Sequence, residues 1–183
     1  MTKTPTSHRE TKLGILKQSE IEKVIIENLA LVQKYIIRHY ADLIINTDSA
    51  KKLHAMLGGN LYFEAGQYRK HDVQLGFFEP PIFYELPVLM KNWEADLAQR
   101  IKSTKTQERH IENCAWLMHR FLWIHPFFDY NGRVARLLGE LYLIQNQLPV
   151  VDFRQTKRKD FVAAVKLATA QGDLSQLQQL LVR

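Results

Sequence analysis

Two apolar stripes of helical spacing meet at a proline. From about Thr106 to Trp123 the residues Ile111, Cys114, Ala115, Met118 and Phe121 recur at three- and four-residue steps, and from Asn131 onward Val134, Leu137, Leu138, Leu141 and Ile144 do the same. Pro126 lacks the amide hydrogen that would carry the first helix onward. His125 to Tyr130 must therefore form a loop between two helices that each bury one face.

The rest of the chain reads as helix with one interruption. Ile21, Val24, Ile25, Leu29, Val32, Ile36 and Leu43 mark a long amphipathic helix from about Ser19, its expected N-cap, to Ile45. Thr47-Asp48-Ser49 predicts a turn that caps a short helix through Leu53 and Met56, ended by Gly58-Gly59. Residues 60–78 break the pattern with Gly66, an aromatic pair and alternation around Val73 and Leu75, which predicts a hairpin or extended loop stopped by Pro80-Pro81. A further helix is expected up to about Lys102. The expected fold class is all-α with a small β-hairpin before the central helices. The chain of 183 residues suits one domain with a real core. We expect a flexible polar tail over 1–12, a helical segment over 13–46 packed on the core, and the main domain over 47–183.

Composition removes several classes. Hydrophobic residues at 46% and charged residues at 24% are the proportions of a globular chain, and no apolar run is long enough to span a bilayer. The basic N-terminus is not followed by the apolar core of a secretory signal. Cys114 is the only cysteine, so an intramolecular disulfide or thiolate metal cluster is impossible, which fits a reducing cytosol; on its apolar stripe it reads as a small core residue. The net charge of +6 would suit an anionic partner, but the basic residues are scattered apart from Lys157, Arg158 and Lys159, which read as a solvated face.

His125, Asp129, Asn131, Gly132, Arg133 and Arg136 crowd the loop and the start of the next helix. The first amides of a helix lack internal partners and lie at the positive end of its dipole, so this junction is a natural anion site. Gly132 lets a phosphate approach the backbone closely. Arg133 and Arg136 share one face away from the apolar stripe, and two guanidiniums there invite a polyphosphate. Asp129 is a candidate ligand for a divalent cation, which commonly reaches protein through one or two carboxylates plus substrate phosphates. His125 is the candidate general base for an incoming hydroxyl. The plain alternative makes Asp129 or Asn131 a helix cap and pairs Arg136 with Glu140, worth only about 0.3–0.5 kcal/mol if exposed. It leaves the coincidence of all six groups unexplained.

HPFFDYNGRVAR, residues 125–136, resembles the signature of the Fic family, in which His, Pro, Phe, any residue, Asp or Glu, Gly or Ala, Asn, Gly and Arg precede two variable residues and Arg. The likeness extends outward. LHAMLGGNLYFEAGQYR is similar to that family's stretch leading into its flap hairpin, and GDLSQLQQLL resembles its final helix, so the resemblance runs in order over about residues 47–183.

The resemblance implies an all-α core with a small hairpin and the transfer of a nucleoside monophosphate, usually AMP from ATP, to a Ser, Thr or Tyr hydroxyl of a target protein. By position, His125 takes the target's proton and Asp129 holds Mg²⁺. Tyr130, Asn131, Gly132 and Arg133 line the phosphate site, Arg136 reaches the outer phosphates, and Phe127 anchors the loop. Gly132 stands where phosphorylating members carry Lys, which favours nucleotidyl transfer. Tyr130 stands where the family has Gly or Ala, and is expected to turn its ring outward and lend only its backbone. The flap of the family pairs its main chain with the target; Gln67, Tyr68, Arg69 and Val73 are the candidates here, Tyr68 and Arg69 being of exposed type. Many members are restrained by a helix whose Glu pairs with the second motif arginine, here Arg136. Only partial matches occur, at Thr6–Glu10 and Lys23–Asn28, so the chain is expected to lack a working internal inhibitor, or to be controlled by an inhibitory partner or as a homodimer.

Two other classes compete. A non-catalytic or altered-specificity module would hold nucleotide or another phosphate ligand and recruit a partner protein, Tyr130 being the feature that favours it. Nucleic-acid binding lacks a helix-turn-helix or an aromatic-basic platform. The expected setting is cytoplasmic, in the chain's own cell or after delivery into another by a specialised route, with no membrane partner.

Overall fold

The structure, a computed structural model, describes residues 8–153 and 155–182. Among them the chain forms a two-stranded antiparallel hairpin, β1 (His8–Thr11) and β2 (Gly14–Lys17), followed by seven helices. These are α1 (Gln18–His39), α2 (Thr47–Gly58), α3 (Leu86–Ser103), α4 (Gln107–Ile124), α5 (Asn131–Gln145), α6 (Arg158–Gln171) and α7 (Ser175–Leu180). The all-α class with a small hairpin holds.

The helix pair read from the two stripes is the centre of the molecule. α4 and α5 approach closely at Gly139, where an added Cβ would lie 2.6 Å from Met118 Sδ. Cys114 Sγ donates to Gly139 O at 3.6 Å, and burial pushes its thiol pKa up, as befits a small core residue. α3 is tied to α4 by Trp93 Nε1 donating to Leu117 O at 3.2 Å. α1 joins this core through Val32 and Ile36, and Asn28 Nδ2 donates to Leu57 O at the end of α2. A smaller apolar cluster of Ile21, Ile25, Leu61 and Tyr130 lies where the first turns of α1 cover the loop before α5.

Several local expectations are corrected. The regular hairpin lies at residues 8–17, not within 60–78, because Gly14 adopts φ +94 and the Thr11 hydroxyl donates to Gly14 O at 2.8 Å, closing a turn that residue alternation does not signal. Within 60–78 the chain makes successive turns and one isolated bridge, Leu75 with Phe78. The expected tail lies in part outside the described residues, over 1–7. Its remainder is strand and turn, docked by Lys12 N–H on Leu61 O at 2.8 Å and Lys12 Nζ on Gly59 O at 2.6 Å. Ser19 is not the N-cap of α1; Lys17 holds that place, its N–H donating to Glu20 Oε2 at 2.7 Å. α1 stops at His39, where Asp42 and Leu43 N–H both turn back to His39 O, and α2 is capped by Asn46 Oδ1 accepting from Ser49 N at 2.8 Å. Lys157–Lys159 are exposed at the start of α6.

Candidate active site

The loop between α4 and α5 is bounded by two residues in the left-handed region, His125 at φ 52 and Tyr130 at φ 57. Each costs a non-glycine residue about 1–2 kcal/mol, so the surroundings must hold them there. His125 N–H still closes the last turn of α4 on Phe121 O at 3.0 Å, and Pro126 then forces the chain away. Asn131, 2% exposed, braces the loop from inside: its Oδ1 accepts from Phe127 N at 3.0 Å and its Nδ2 donates to Phe127 O at 2.8 Å. Phe127 is fully buried against Phe121 and stacks on His54, with ring centroids 4.0 Å apart.

Two struts escaped the sequence reading. His54 of α2 is buried between the loop and the chain that follows α2. Its Nδ1 accepts from Gly66 N–H at 2.7 Å, so the ring proton sits on Nε2 and is donated to Asp129 O at 3.2 Å. The one available signal was a histidine inside the apolar run Leu53–Leu57. Arg69 was expected at the flap surface, yet it is 4% exposed and donates to three backbone carbonyls, among them His125 O at 2.9 Å. Nothing in its residue type announces this. Of the other flap candidates, Gln67 is exposed, its Nε2 held by Phe63 O at 3.1 Å, while Tyr68 and Val73 are half-buried. The Tyr68 ring faces the interior, 6.4 Å from Phe127.

Burial lowers the pKa of His125 to about 4, with Arg69 pushing the same way and Asp129 opposing. The ring is therefore neutral at neutral pH. Its Nδ1 lies 3.3 Å from Leu122 O, which accepts only a proton donor and so leaves Nε2 as the free acceptor. His54 is also lowered to about 4, by burial, from the ordinary 6.5. The unfolded chain binds protons at His54 near 6.5 and the folded chain only near 4. Stability is thus whole above pH 6.5 and declines as the pH falls towards 4, by on the order of 3 kcal/mol from this residue. Urea unfolding at pH 7 and pH 4.5 should show that loss together with a similar one from His125, and His54→Gln should remove only its own share.

The face towards solvent carries the charged groups. Asp129 Oδ1 accepts from Tyr130 N at 2.7 Å, while its Oδ2 pairs with Arg9 Nη1 of β1 at 2.9 Å, both side chains being nearly half exposed. Among the described residues the amides of Asn131 and Gly132 have no acceptor, and the space where a Gly132 Cβ would stand is open. Arg133 Nη2 pairs with Glu22 of α1 at 2.5 Å, its guanidinium 5.2 Å from the Tyr130 ring centroid. Arg136 does not turn to Glu140. Its Nε donates to Gly132 O at 2.9 Å and its guanidinium lies 5.4 Å from the Phe161 ring, with its pKa lowered by burial and by Arg133 and Arg158. Neither Glu10 nor Glu27 pairs with Arg136; both are exposed.

Tyr130 departs most from expectation. Its ring turns inward, 9% exposed, and packs on Gly58, where an added Cβ would lie 3.6 Å away, and beside Tyr62. The reason is the apolar floor made by Ile21, Ile25 and Leu61, which an outward ring would leave uncovered. Beside it opens a cleft of about 550 Å³ lined by Arg9, His54, Tyr62, Tyr68, Asp129 and Tyr130.

This architecture is shared. The model of the Fic/DOC family matches residues 44–143. The chain is 30% identical over 168 residues to the protein adenylyltransferase Fic of Drosophila mojavensis, covering 90% of this chain and 32% of that protein. Against its counterpart in Drosophila yakuba it is 32% identical over 168 residues, with 90% and 33% covered. The chain thus spans about a third of the length of these curated relatives. Among solved structures, the N-terminal FIC domain of Bep8 from Bartonella sp. 1-1C superposes with a TM-score of 0.83 at 14% identity, covering 97% of this chain and 91% of that one. BepC from Bartonella tribocorum, with bound AMPPNP, gives 0.75 at 18% identity, with 98% and 92% covered. A Bartonella quintana Fic domain with bound ADP gives 0.78 at 15%, with 98% and 91% covered. With its motif loop at the α4–α5 junction and its family match over more than half its length, the chain belongs to the Fic/DOC family.

Proposed function

We propose that the chain is a protein adenylyltransferase, moving AMP from ATP to a hydroxyl side chain of a target protein. The observation that carries this is a neutral His125 with Nε2 free, held beside Asp129 and the unpartnered amides that open α5. The names of the Drosophila relatives and the nucleotides bound in the Bartonella structures support it.

In this mechanism His125 Nε2 takes the proton of the target's Ser, Thr or Tyr hydroxyl. The freed oxygen attacks the α-phosphorus in line, an O–P bond forms, the bond to the β-phosphate oxygen breaks, and pyrophosphate leaves with its electron pair. The amides of Asn131 and Gly132 and the positive end of α5 stabilise charge on the phosphate oxygens, with Arg133 and Arg136 towards the outer phosphates. The Asn131 side chain serves by keeping the loop in shape.

Asp129 suits Mg²⁺: it is one half-exposed carboxylate at a phosphate site, and Mg²⁺ commonly takes one or two carboxylates with phosphates and water. Mg²⁺ bound there would neutralise phosphate charge and align the leaving group. Arg9 must first release Oδ2. An exposed ion pair is worth about 0.2–1 kcal/mol, so Arg9→Ala should tighten Mn²⁺ binding by a factor of about 1.4 to 5, read by electron paramagnetic resonance.

The test incubates wild type with Mg²⁺, cell lysate and ATP labelled with ³²P at the α or the γ position, with UTP, CTP and GTP in parallel. Label on protein from the α position alone supports AMP transfer; label from γ points to phosphorylation instead. Two ion pairs on the motif, Arg9 with Asp129 and Glu22 with Arg133, favour a second reading, in which the module holds a phosphate ligand and a partner without transfer. Nucleotide binding without labelled protein would select it. No described helix is long and apolar enough to cross a membrane.

A further inference from the structure

Arg69 belongs to the segment between α2 and α3, yet its bonds go to the end of α4. Its backbone N–H donates to Pro126 O at 2.9 Å and its Nε donates to His125 O at 2.9 Å. Nη1 donates to His71 O at 3.0 Å, and Nη2 donates to Pro81 O. Asp72 stands 3.6 Å from Nη1 but is 60% exposed, so the guanidinium is directed mainly at carbonyls rather than at a carboxylate. The side chain itself is 1% exposed.

The His125 carbonyl needs a donor for a definite reason. The last carbonyls of a helix lack intrahelical amides, and His125 is the left-handed cap that ends α4. The left-handed His125 would keep its peptide in place only with an outside partner. Arg69 supplies one from a planar fork that can meet several carbonyls at once, which a lysine ammonium, a point donor on a flexible stem, does not reproduce.

We propose that Arg69 is the positioning residue for His125, holding the His125–Pro126 backbone so that the imidazole stays at the angle needed to accept a proton; this rests on His125 being the base proposed above. Arg69 touches no reacting atom. It acts through the His125 peptide and, by its charge, on the ring. The charged groups acting on that ring are Arg69, which opposes protonation, and Asp129, which favours it, both secondary to burial.

The experiment compares the full chain with Arg69→Lys, which keeps the charge and loses the fork, and Arg69→Gln, which loses both. Two readouts are taken: the His125 imidazole titration by NMR without nucleotide or metal, and kcat and KM for ATP in the transfer assay. The expected result is a kcat at least tenfold lower in both variants with KM for ATP within twofold of wild type, because the phosphate groups bind at α5. The His125 titration should move upward in Arg69→Gln and stay near wild type in Arg69→Lys. A kcat within twofold of wild type in both variants, a loss confined to KM, or an unmoved titration in Arg69→Gln overturns the proposal. If wild type transfers nothing, the activity proposed above fails while the titration still decides Arg69. If Arg69→Gln does not fold, kcat and KM of Arg69→Lys decide it.

Discussion

His125→Ala is expected to abolish transfer of α-³²P label to protein while leaving nucleotide binding nearly intact. A positioned general base contributes about 10²–10⁴-fold, and no other neutral imidazole in the site can replace it. His54, the nearest candidate, has its Nδ1 committed to Gly66 N–H and its Nε2–H to Asp129 O. The partners proposed for the nucleotide, the α5 amides with Arg133 and Arg136, are untouched by the substitution. Isothermal titration of ATP beside the labelling assay separates the two effects. An equal loss of affinity and turnover would mean that His125 shapes the site rather than acting in it. The wild-type rate should hold from pH 8 down to about pH 5 and fall as the pH approaches 4, because the base works only when deprotonated.

Phe127→Ala should cost more stability than any single change at the polar end of the site, about 3–5 kcal/mol. Phe127 is fully buried, stacked on His54 at 4.0 Å and packed on Phe121. Its own N–H and C=O are the two groups that Asn131 grips. Truncation leaves a cavity where the loop, α2 and α4 meet, and frees the two left-handed residues that flank it to relax. For a chain of this size the loss corresponds to a melting temperature lower by roughly 10–15 °C, measurable by calorimetry. A drop under 3 °C would show that the loop keeps its shape without this anchor.

How far the site was legible depends on which kind of bond builds it. The α4–loop–α5 unit could be read because both causes are local: apolar residues at helical steps and a proline between them. The same locality placed His125, Asp129 and the two arginines together before any tertiary contact was known. The neighbours of that unit were not legible. Arg69 looks like a surface residue, His54 like a stray polar group in a short helix, and Arg9 like part of a tail. Each is recruited by backbone groups or charges 56, 75 and 120 residues away. Tyr130 was misjudged for the same reason, since what draws its ring inward is the floor of Ile21, Ile25 and Leu61.

The sequence by itself therefore determined the helical class, the position of the break and the chemical groups that line it, because each follows from short-range sterics and residue chemistry. Only the tertiary structure decided which nitrogen of His125 is free, what holds its peptide, where the Tyr130 ring goes, and which cations now sit on Asp129 and Glu22. Those choices depend on desolvation and on donors brought in from distant segments, and neither has a spacing that a linear chain can display.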